Sequence, residues 1–521
     1  MDLWQFLERH VEQTPEKVLL RYRDTQQSYA GFLQTALKAA GALQALGVRK
    51  DDTVCLMLRN SPDYLYLWFG LARLGAVKVP INVHLKGEGL GYIIEHSEAR
   101  VLIVEDDLLP RVQDVRAALS HLQTIVVRGE APLPAGCRRW HDLLAAAAAS
   151  CPGASARPDA VQTILYTSGT TGPPKGAMLS HHAYLNSARC FAEQMVGATG
   201  DDVLYTCLPL FHINAQAHTV LPAIDQNATM AIGDAFSASR FWDEIRHHGA
   251  TIFNSLAAMI PILCKQPPGA GDRDHRARLT ACAATPKDVW LQFEERFGVR
   301  IVEGYGLTET TGFCVTNPRD AVRVGSIGRA MDFVDALVVD GQDRAVESGQ
   351  RGEIAIRARD PHALMEGYYR MPRQTAEAMR GGLFHTGDMG YADADGYLYF
   401  VDRIKQSIRR RGENISSWDV EKVVNAHPQV LESAAVGVPS DLGEEEVKIY
   451  VVCRPGTAVA PVDIIRWCEA RMAYFMVPRY VEFRAALPKT ATERVEKYKL
   501  KQEGIGQAWD REAAGYKLAR D

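Results

Sequence analysis

No C-x-x-C pair and no Cys/His cluster occurs in this chain of 521 residues, whose ten cysteines are scattered. That spacing argues against zinc ligation or a disulfide framework and leaves reduced thiols in a core. Charge of one sign is not in excess either. The net charge of −4 supplies no electrostatic footing for nucleic acid or an anionic membrane surface. Long apolar runs are missing: the stretch from Tyr64 to Leu74 is broken by Arg73 and is too short to span a bilayer. The opening residues Met1 to Gln5 carry neither the basic nor the apolar region of a secretory leader, so a soluble, cytoplasmic protein is expected. Repeats and long low-complexity tracts are likewise wanting. What is present is ordinary globular composition, 47% hydrophobic and 23% charged, in a chain too long for one core. At least two domains are expected.

The pattern of elements predicts an α/β fold. Helical spacing at Leu3–Val11 and Ala30–Leu46, the second ending at Gly47, alternates with short apolar strands at Thr53–Leu58, Ala76–Pro80 and Arg100–Val104. Ser61-Pro62 reads as an N-cap followed by proline at the first helical position. Strand–helix alternation of this kind calls for a largely parallel sheet. Residues 323–402 change character, alternating in the manner of antiparallel strands between Asp/Gly turns. After the charge-dense run Arg403 to Gly412 a compact α+β set follows, with a helix at Trp418–Asn425 and strands at Ala434–Val438, Val447–Cys453 and Tyr480–Phe483. We therefore expect a large N-terminal domain over 1–404, built of parallel-sheet α/β layers plus a β-rich subdomain. A small α+β C-terminal domain over 405–521 completes the chain.

The stretch Thr167-Ser168-Gly169-Thr170-Thr171-Gly172-Pro173-Pro174-Lys175-Gly176 follows the apolar run Ile164-Leu165-Tyr166 and precedes a helical segment from about Ser180. Glycines and hydroxyls make a donor-rich loop able to wrap phosphate oxygens, and Lys175 adds a point charge. It is not a Walker A loop, because Pro174 precedes the lysine and no Ser or Thr stands after it for magnesium. A plain surface loop has the same composition.

Two further constellations bear chemistry. In Glu303-Gly304-Tyr305-Gly306-Leu307-Thr308-Glu309, which follows the strand Val299–Val302, glycines flanking a tyrosine allow a flat base to approach; a tight turn with an exposed glutamate is the plain alternative. Thr308 and Glu309 can then serve a phosphate oxygen and Mg²⁺, which takes few protein carboxylates. In Phe384-His385-Thr386-Gly387-Asp388, followed by Asp402-Arg403, a carboxylate can accept both hydroxyls of a ribose, and an arginine can hydrogen-bond the ribose or counter phosphate charge.

The three constellations together, in this order, resemble the acyl-adenylate-forming enzymes: acyl-CoA synthetases, peptide-synthetase adenylation domains and beetle luciferases. The resemblance covers nearly the whole chain. It implies that a carboxylic acid is joined to ATP with release of pyrophosphate, and that a thiol, usually coenzyme A, then attacks the acyl-adenylate. Carried over by motif, Thr167, Ser168, Gly169, Thr170, Thr171, Gly172 and Lys175 would hold the β- and γ-phosphates. Gly304, Tyr305 and Gly306 would line the adenine pocket, Thr308 and Glu309 would serve phosphate and Mg²⁺, Asp388 would bind the ribose and Arg403 would lie beside it. Lys405 falls at the hinge about which the family's mobile C-terminal domain turns.

This chain departs from the family pattern at Pro488-Lys489-Thr490-Ala491-Thr492-Glu493-Arg494, where Arg494 stands in place of the usual catalytic lysine. Arginine keeps the charge but is longer and planar; a slipped register would offer Lys497 or Lys499 instead. Ala281 to Pro286 carries methyl groups where glycines usually pave the pocket, and Gln406 stands where aspartate is common. The segment Leu208 to Gln216 corresponds to part of the acyl pocket, with His212 behind Phe211 as a gate. With Phe241-Trp242 downstream it resembles the crotonobetaine/carnitine-CoA ligase branch, for which Phe211, Trp242 and Phe253 are candidate cage aromatics. Short- and medium-chain fatty acids and aryl acids stay open as substrates. So do two other readings of the chain, an adenylation enzyme loading a carrier protein in trans and a catalytically impaired nucleotide-binding homologue. A homodimer is an open expectation.

Overall fold

A computed structural model describes the chain except residues 155, 168–172, 257, 284, 286, 404–406, 441–442, 489–494, 496 and 519–521; at 288, 402, 403, 407, 414, 418 and 498 it describes the backbone alone. Ser168 to Gly172, Lys405, Gln406, Arg494 and the Arg403 side chain thus lie outside the described residues. The chain packs as two compact units, one of residues 1–83, 92–166 and 175–402, the other of 84–91, 167–174 and 403–521.

The first unit contains two large sheets. One has nine strands, of which six run parallel in the order Arg300–Leu307, Leu279–Ala283, Ile252–Leu256, Val203–Thr206, Thr229–Ile232 and Val18–Tyr22. Its antiparallel edges are Thr25–Ser28 on one side and Gly312–Thr316 with Arg329–Ala330 on the other. The second sheet has eight strands, with Val161–Thr167, Val77–Pro80, Thr53–Met57, Val101–Glu105, Thr124–Arg128 and Cys137–Arg139 parallel. Parallel neighbours need crossover helices, and Pro62–Leu74 supplies the one between Thr53–Met57 and Val77–Pro80. It starts where its caps dictate: the Ser61 hydroxyl accepts the Tyr64 N–H, Pro62 opens the first turn, and Gly75 ends the helix at φ +65. Both faces of the central strands are covered, as parallel sheets require; Thr53–Met57 is buried from Val54 onward. The expected β-rich part is a four-stranded sheet in the order Val334–Val339, Gly352–Ala358, Phe384–Ala392, Leu398–Arg403.

Two local readings change. Lys175 and Gly176 are not loop residues but begin the strand Lys175–Ser180, while the helix follows where expected, at His181 with Ser180 as its cap. The Glu303–Leu307 stretch is not a turn; it is the continuing strand Arg300–Leu307, and its chain reverses at Thr308 to Thr311 before pairing with Gly312–Thr316. Phe384 to Asp388 lies inside the strand Phe384–Ala392, and the expected Asp/Gly turn follows at Asp393–Gly396. Around Gly176 and Tyr305 glycines that favour turns locally are held extended by a neighbouring strand, whereas Gly387 keeps a φ of +73 where the strand pairing shifts register.

The second unit pairs the hairpin Ser407–Arg410 and Glu413–Ser416 with a sheet of Val430–Pro439, Glu445–Cys453, Tyr480–Phe483 and Trp509–Asp510. Helices Ser417–Asn425 and Pro461–Glu469 contribute Val420, Val424, Ile464, Ile465 and Cys468 to a core with Val447, Ile449 and Val451 of the sheet. The α+β reading of this part holds.

Candidate active site

The segment Tyr305–Glu309 carries one half of the site at each end. At its far end, Glu309 is buried and its Oε1 accepts the Tyr368 hydroxyl at 2.9 Å. The Lys175 ammonium stands 4.2 Å from the centroid of the same Tyr368 ring, on the negative face of its π system. Pairing explains the meeting: Gly367–Tyr368 runs antiparallel to Lys175–Ser180, and the Met365 N–H bonds the Glu309 carbonyl at 2.9 Å. Tyr368 was not singled out from the sequence, where Gly-Tyr-Tyr carries no signal of its own. At the near end, the Tyr305 hydroxyl donates to Asp388 Oδ2 at 2.6 Å, both residues being buried. Burial, then the facing carboxylate, raises both phenols well above their ordinary range, so each stays a donor.

The Asp388 strand is held from behind. Glu353 accepts the Gly387 N–H at 2.9 Å and bonds His385 at 2.9 Å, while Thr386 donates to the Ile354 carbonyl and accepts the Asp388 N–H. Gly306 is required by space. A Cβ built there would lie 1.9 Å from the Gly312 carbonyl oxygen. Gly306→Ala is therefore expected to destabilise the first unit by about 3 kcal/mol through overpacking, measured by urea unfolding.

His212 caps the short helix Ile213–Ala215 and its ring lies 4.8 Å from that of Phe211. The loop before it is fixed by two amides: Asn60 Oδ1 accepts the Leu210 N–H at 2.8 Å, and Gln216 Nε2 donates to the Leu210 carbonyl at 2.6 Å. Gln216 in turn accepts from Tyr184 at 2.6 Å and from the fully buried Lys78 at 2.8 Å. Lys78 sits 3.6 Å over the Trp68 ring, and burial pushes its ammonium far below the usual lysine range. A single lysine in a strand gives no such warning in sequence. Trp242 and Phe253 meet edge to face in an aromatic core, Trp242 also stacking on His275 and Phe297, whereas the Phe211 ring lies against His212. The first two are explained by packing without a ligand.

His218 is stacked between Phe191 and Phe313, with ring centroids 4.8 and 4.3 Å away. Burial lowers its pKa to about 3. Because the folded value lies below the unfolded one, stability is present above pH ~6.5 and is lost as pH falls toward 3. Between pH 7 and pH 5 this residue should remove about 2 kcal/mol; paired urea titrations of the wild type and His218→Gln at the two pH values check it.

Thus Lys175, Glu309, Tyr305 and Asp388 are joined through described contacts, Gly304 and Gly306 lie on the strand that bears Tyr305, and Thr308 stands half-buried beside Glu309. Thr167 ends the strand Val161–Thr167.

Residues 7–369 match the family model of the AMP-binding enzyme, and residues 419–494 that of the AMP-binding enzyme C-terminal domain. Asp388 falls between the two matches and Arg494 closes the second. The chain is similar to the crotonobetaine/carnitine–CoA ligase of Salmonella choleraesuis (strain SC-B67), 35% identical over 91% of this chain and 93% of that protein. It is also similar to the structure of an anthranilate CoA ligase in complex with anthranoyl-AMP, with a TM-score of 0.75, 27% identity and coverage of 96% and 97%. The o-succinylbenzoate CoA synthetase of Bacillus subtilis shares the fold, with a TM-score of 0.85 at 24% identity over 96% of this chain and 98% of that one. With a family match over 7–369, a second over 419–494 and a relative 35% identical over 91% of this chain, the chain belongs to the AMP-binding enzyme family.

Proposed function

We propose that this chain is an AMP-forming acid–thiol ligase that activates a carboxylic acid as its acyl-adenylate and passes the acyl group to coenzyme A. The observation that carries it is the segment Tyr305–Glu309, with a phenol on the buried Asp388 at one end and a carboxylate held by Tyr368 beside Lys175 at the other. In the first half-reaction an oxygen of the acid attacks the α-phosphorus of ATP and the bond to pyrophosphate breaks. Lys175 and the donors from Thr167 to Gly172 would neutralise the departing phosphates, with in-line positioning supplying much of the acceleration. Asp388 would accept the ribose hydroxyls; one oxygen already serves Tyr305, yet a carboxylate has about four lone-pair sites. Glu309 fits Mg²⁺, since a lone, buried carboxylate suits an ion that keeps waters and takes phosphate oxygens. When bound, that ion would neutralise charge developing on the phosphates.

In the second half-reaction the sulfur of coenzyme A attacks the acyl carbon and AMP leaves with the bond electrons. The thiol comes with the substrate, so the buried Cys207, Cys282 and Cys314, whose thiols burial pushes up to about 12, need supply no nucleophile. His212 would gate the acyl side. The acid would be carnitine- or crotonobetaine-like, or a short- to medium-chain acid, in keeping with the named relatives. A cytoplasmic homodimer, divided at residues 404/405 into an AMP-binding part and a C-terminal lid, belongs to the same proposal; no described helix is long and apolar enough to cross a membrane. Pyrophosphate release across a panel of acids, with and without coenzyme A, tests the reading. Acid-dependent release with AMP and acyl-CoA as products supports it; adenylate formation without thioester would point to a carrier protein as acceptor, and silence with retained ATP binding to an impaired homologue.

A further inference from the structure

Three buried polar groups belong to His218 and to two residues, one bonding it and the other adjoining its neighbour Gly312. His218 Nε2 accepts the Phe313 N–H at 3.0 Å, so the neutral ring carries its proton on Nδ1. That N–H is buried and has no partner among the described residues. Asn254 donates from Nδ2 to the His218 carbonyl at 3.0 Å and to Thr219 Oγ1 at 2.7 Å. A carbonyl can only accept, which fixes the amide orientation and leaves Oδ1 as the atom buried without a partner among the described residues. Thr311 is fully buried, its hydroxyl likewise unpartnered there. It adjoins Gly312, where a Cβ would come within 2.4 Å of His218 Nε2. Thr311 also sits at φ +57, a conformation that a β-branched residue adopts at a cost.

Packing does not account for this group. The His218 ring lies between the apolar faces of Phe191 and Phe313, and an unpaired N–H there carries a desolvation penalty that an apolar residue of the same shape would avoid. Position supplies the other half of the argument. His218 follows the His212 segment, Thr311 follows Glu309 on the reversing chain, and Asn254 pairs with Ala281, the start of the stretch that carries methyl groups where the resemblance puts pocket glycines. We propose that His218, Asn254 and Thr311 form a polar subsite that receives an uncharged hydrogen-bonding group, a hydroxyl or oxo oxygen, in the acyl part of the acid. The inference rests on the ligase reading above and narrows its substrate class. A ring N–H donor, an amide acceptor and a hydroxyl together complement a hydroxyl, which both accepts and donates, and an oxo oxygen less fully, since it can take the two donors but offers nothing to the Asn254 amide oxygen. An unsubstituted hydrocarbon would leave all three dry, and a cationic centre would face an N–H donor.

The test compares acyl-CoA formation by the full-length enzyme from hexanoate, its hydroxy isomers at each internal carbon, and 5-oxohexanoate. At least one substituted acid is expected to exceed hexanoate in kcat/KM by about tenfold or more, because a site built around polar atoms rejects the analogue that cannot pair with them. Thr311→Val, which keeps the shape and removes only the hydroxyl, should lower that ratio several-fold while Tm stays level or rises. If hexanoate matches every substituted acid in an enzyme that makes thioesters, water serves these atoms; the subsite is overturned and the ligase reading stands. A ratio unmoved by Thr311→Val also overturns the subsite. No thioester from any acid, in the wider panel as well, would bring down the ligase reading and this inference with it.

Discussion

Glu309→Gln is expected to lower kcat/KM for acyl-adenylate formation by about 10²- to 10³-fold, the scale on which removing one preorganised electrostatic group acts. The substitution is nearly isosteric, and the amide oxygen can still accept the Tyr368 hydroxyl that now lies 2.9 Å from Oε1. What it removes is the charge. Since Glu309 is buried and a buried carboxylate is costly until a cation meets it, the variant should be as stable as the wild type or more so. Loss of activity with retained or raised Tm is thus the signature of a metal-side role. ATP–pyrophosphate exchange, measured across a Mg²⁺ titration, reads it. A fall of less than tenfold with an unchanged Mg²⁺ dependence would remove Glu309 from the metal. Tyr368→Phe is the graded companion: it leaves the carboxylate charged but unoriented, and about a tenfold loss is expected from one hydrogen bond to a charged group.

Arg494→Ala should abolish most of the first half-reaction, by about 10²-fold or more, yet leave thioester formation from a synthetic acyl-adenylate within a few-fold. The expectation follows from the resemblance, in which this position bridges the attacking carboxylate and the α-phosphate. Arginine can fork two oxygens where lysine offers a point charge, so Arg494→Lys should recover part of the loss. The fold bears on the competing register. Lys497, the nearest alternative cation, donates to Ser417 at 2.7 Å and is ion-paired to the half-buried Glu421 at 2.5 Å. Withdrawing it would leave unpaired a carboxylate whose protonation partial burial already favours. Arg494 is therefore the better assignment. Adenylation that survives Arg494→Ala would show the assignment of that segment to be wrong.

Legibility in the sequence followed the range of the forces involved. The Pro62–Leu74 helix was readable to the residue because Ser61, Pro62 and Gly75 act within one turn of its ends. The C-terminal strand Tyr480–Phe483 was readable because its run of strand-forming residues is bounded on both sides. The strand Lys175–Ser180 was not, since Lys-Gly-Ala-Met-Leu-Ser follows a proline- and glycine-rich loop and is held by pairing with Gly367–Tyr368, nearly two hundred residues on. The same distance hid Tyr368, and the glycines around Tyr305 suggested a turn because the cross-strand partner that extends them is a separate segment.

Residue order alone therefore carried the family and the α/β class, because these depend on motif chemistry and on short-range periodicity, and it put forward Lys175, Glu309, Asp388 and Arg494 as the candidates to test. Which carboxylate each phenol orients, and how a buried lysine comes to brace the His212 segment through Gln216, were settled by packing between segments far apart in the chain. Long-range burial sets those contacts, and no local pattern of residues encodes them.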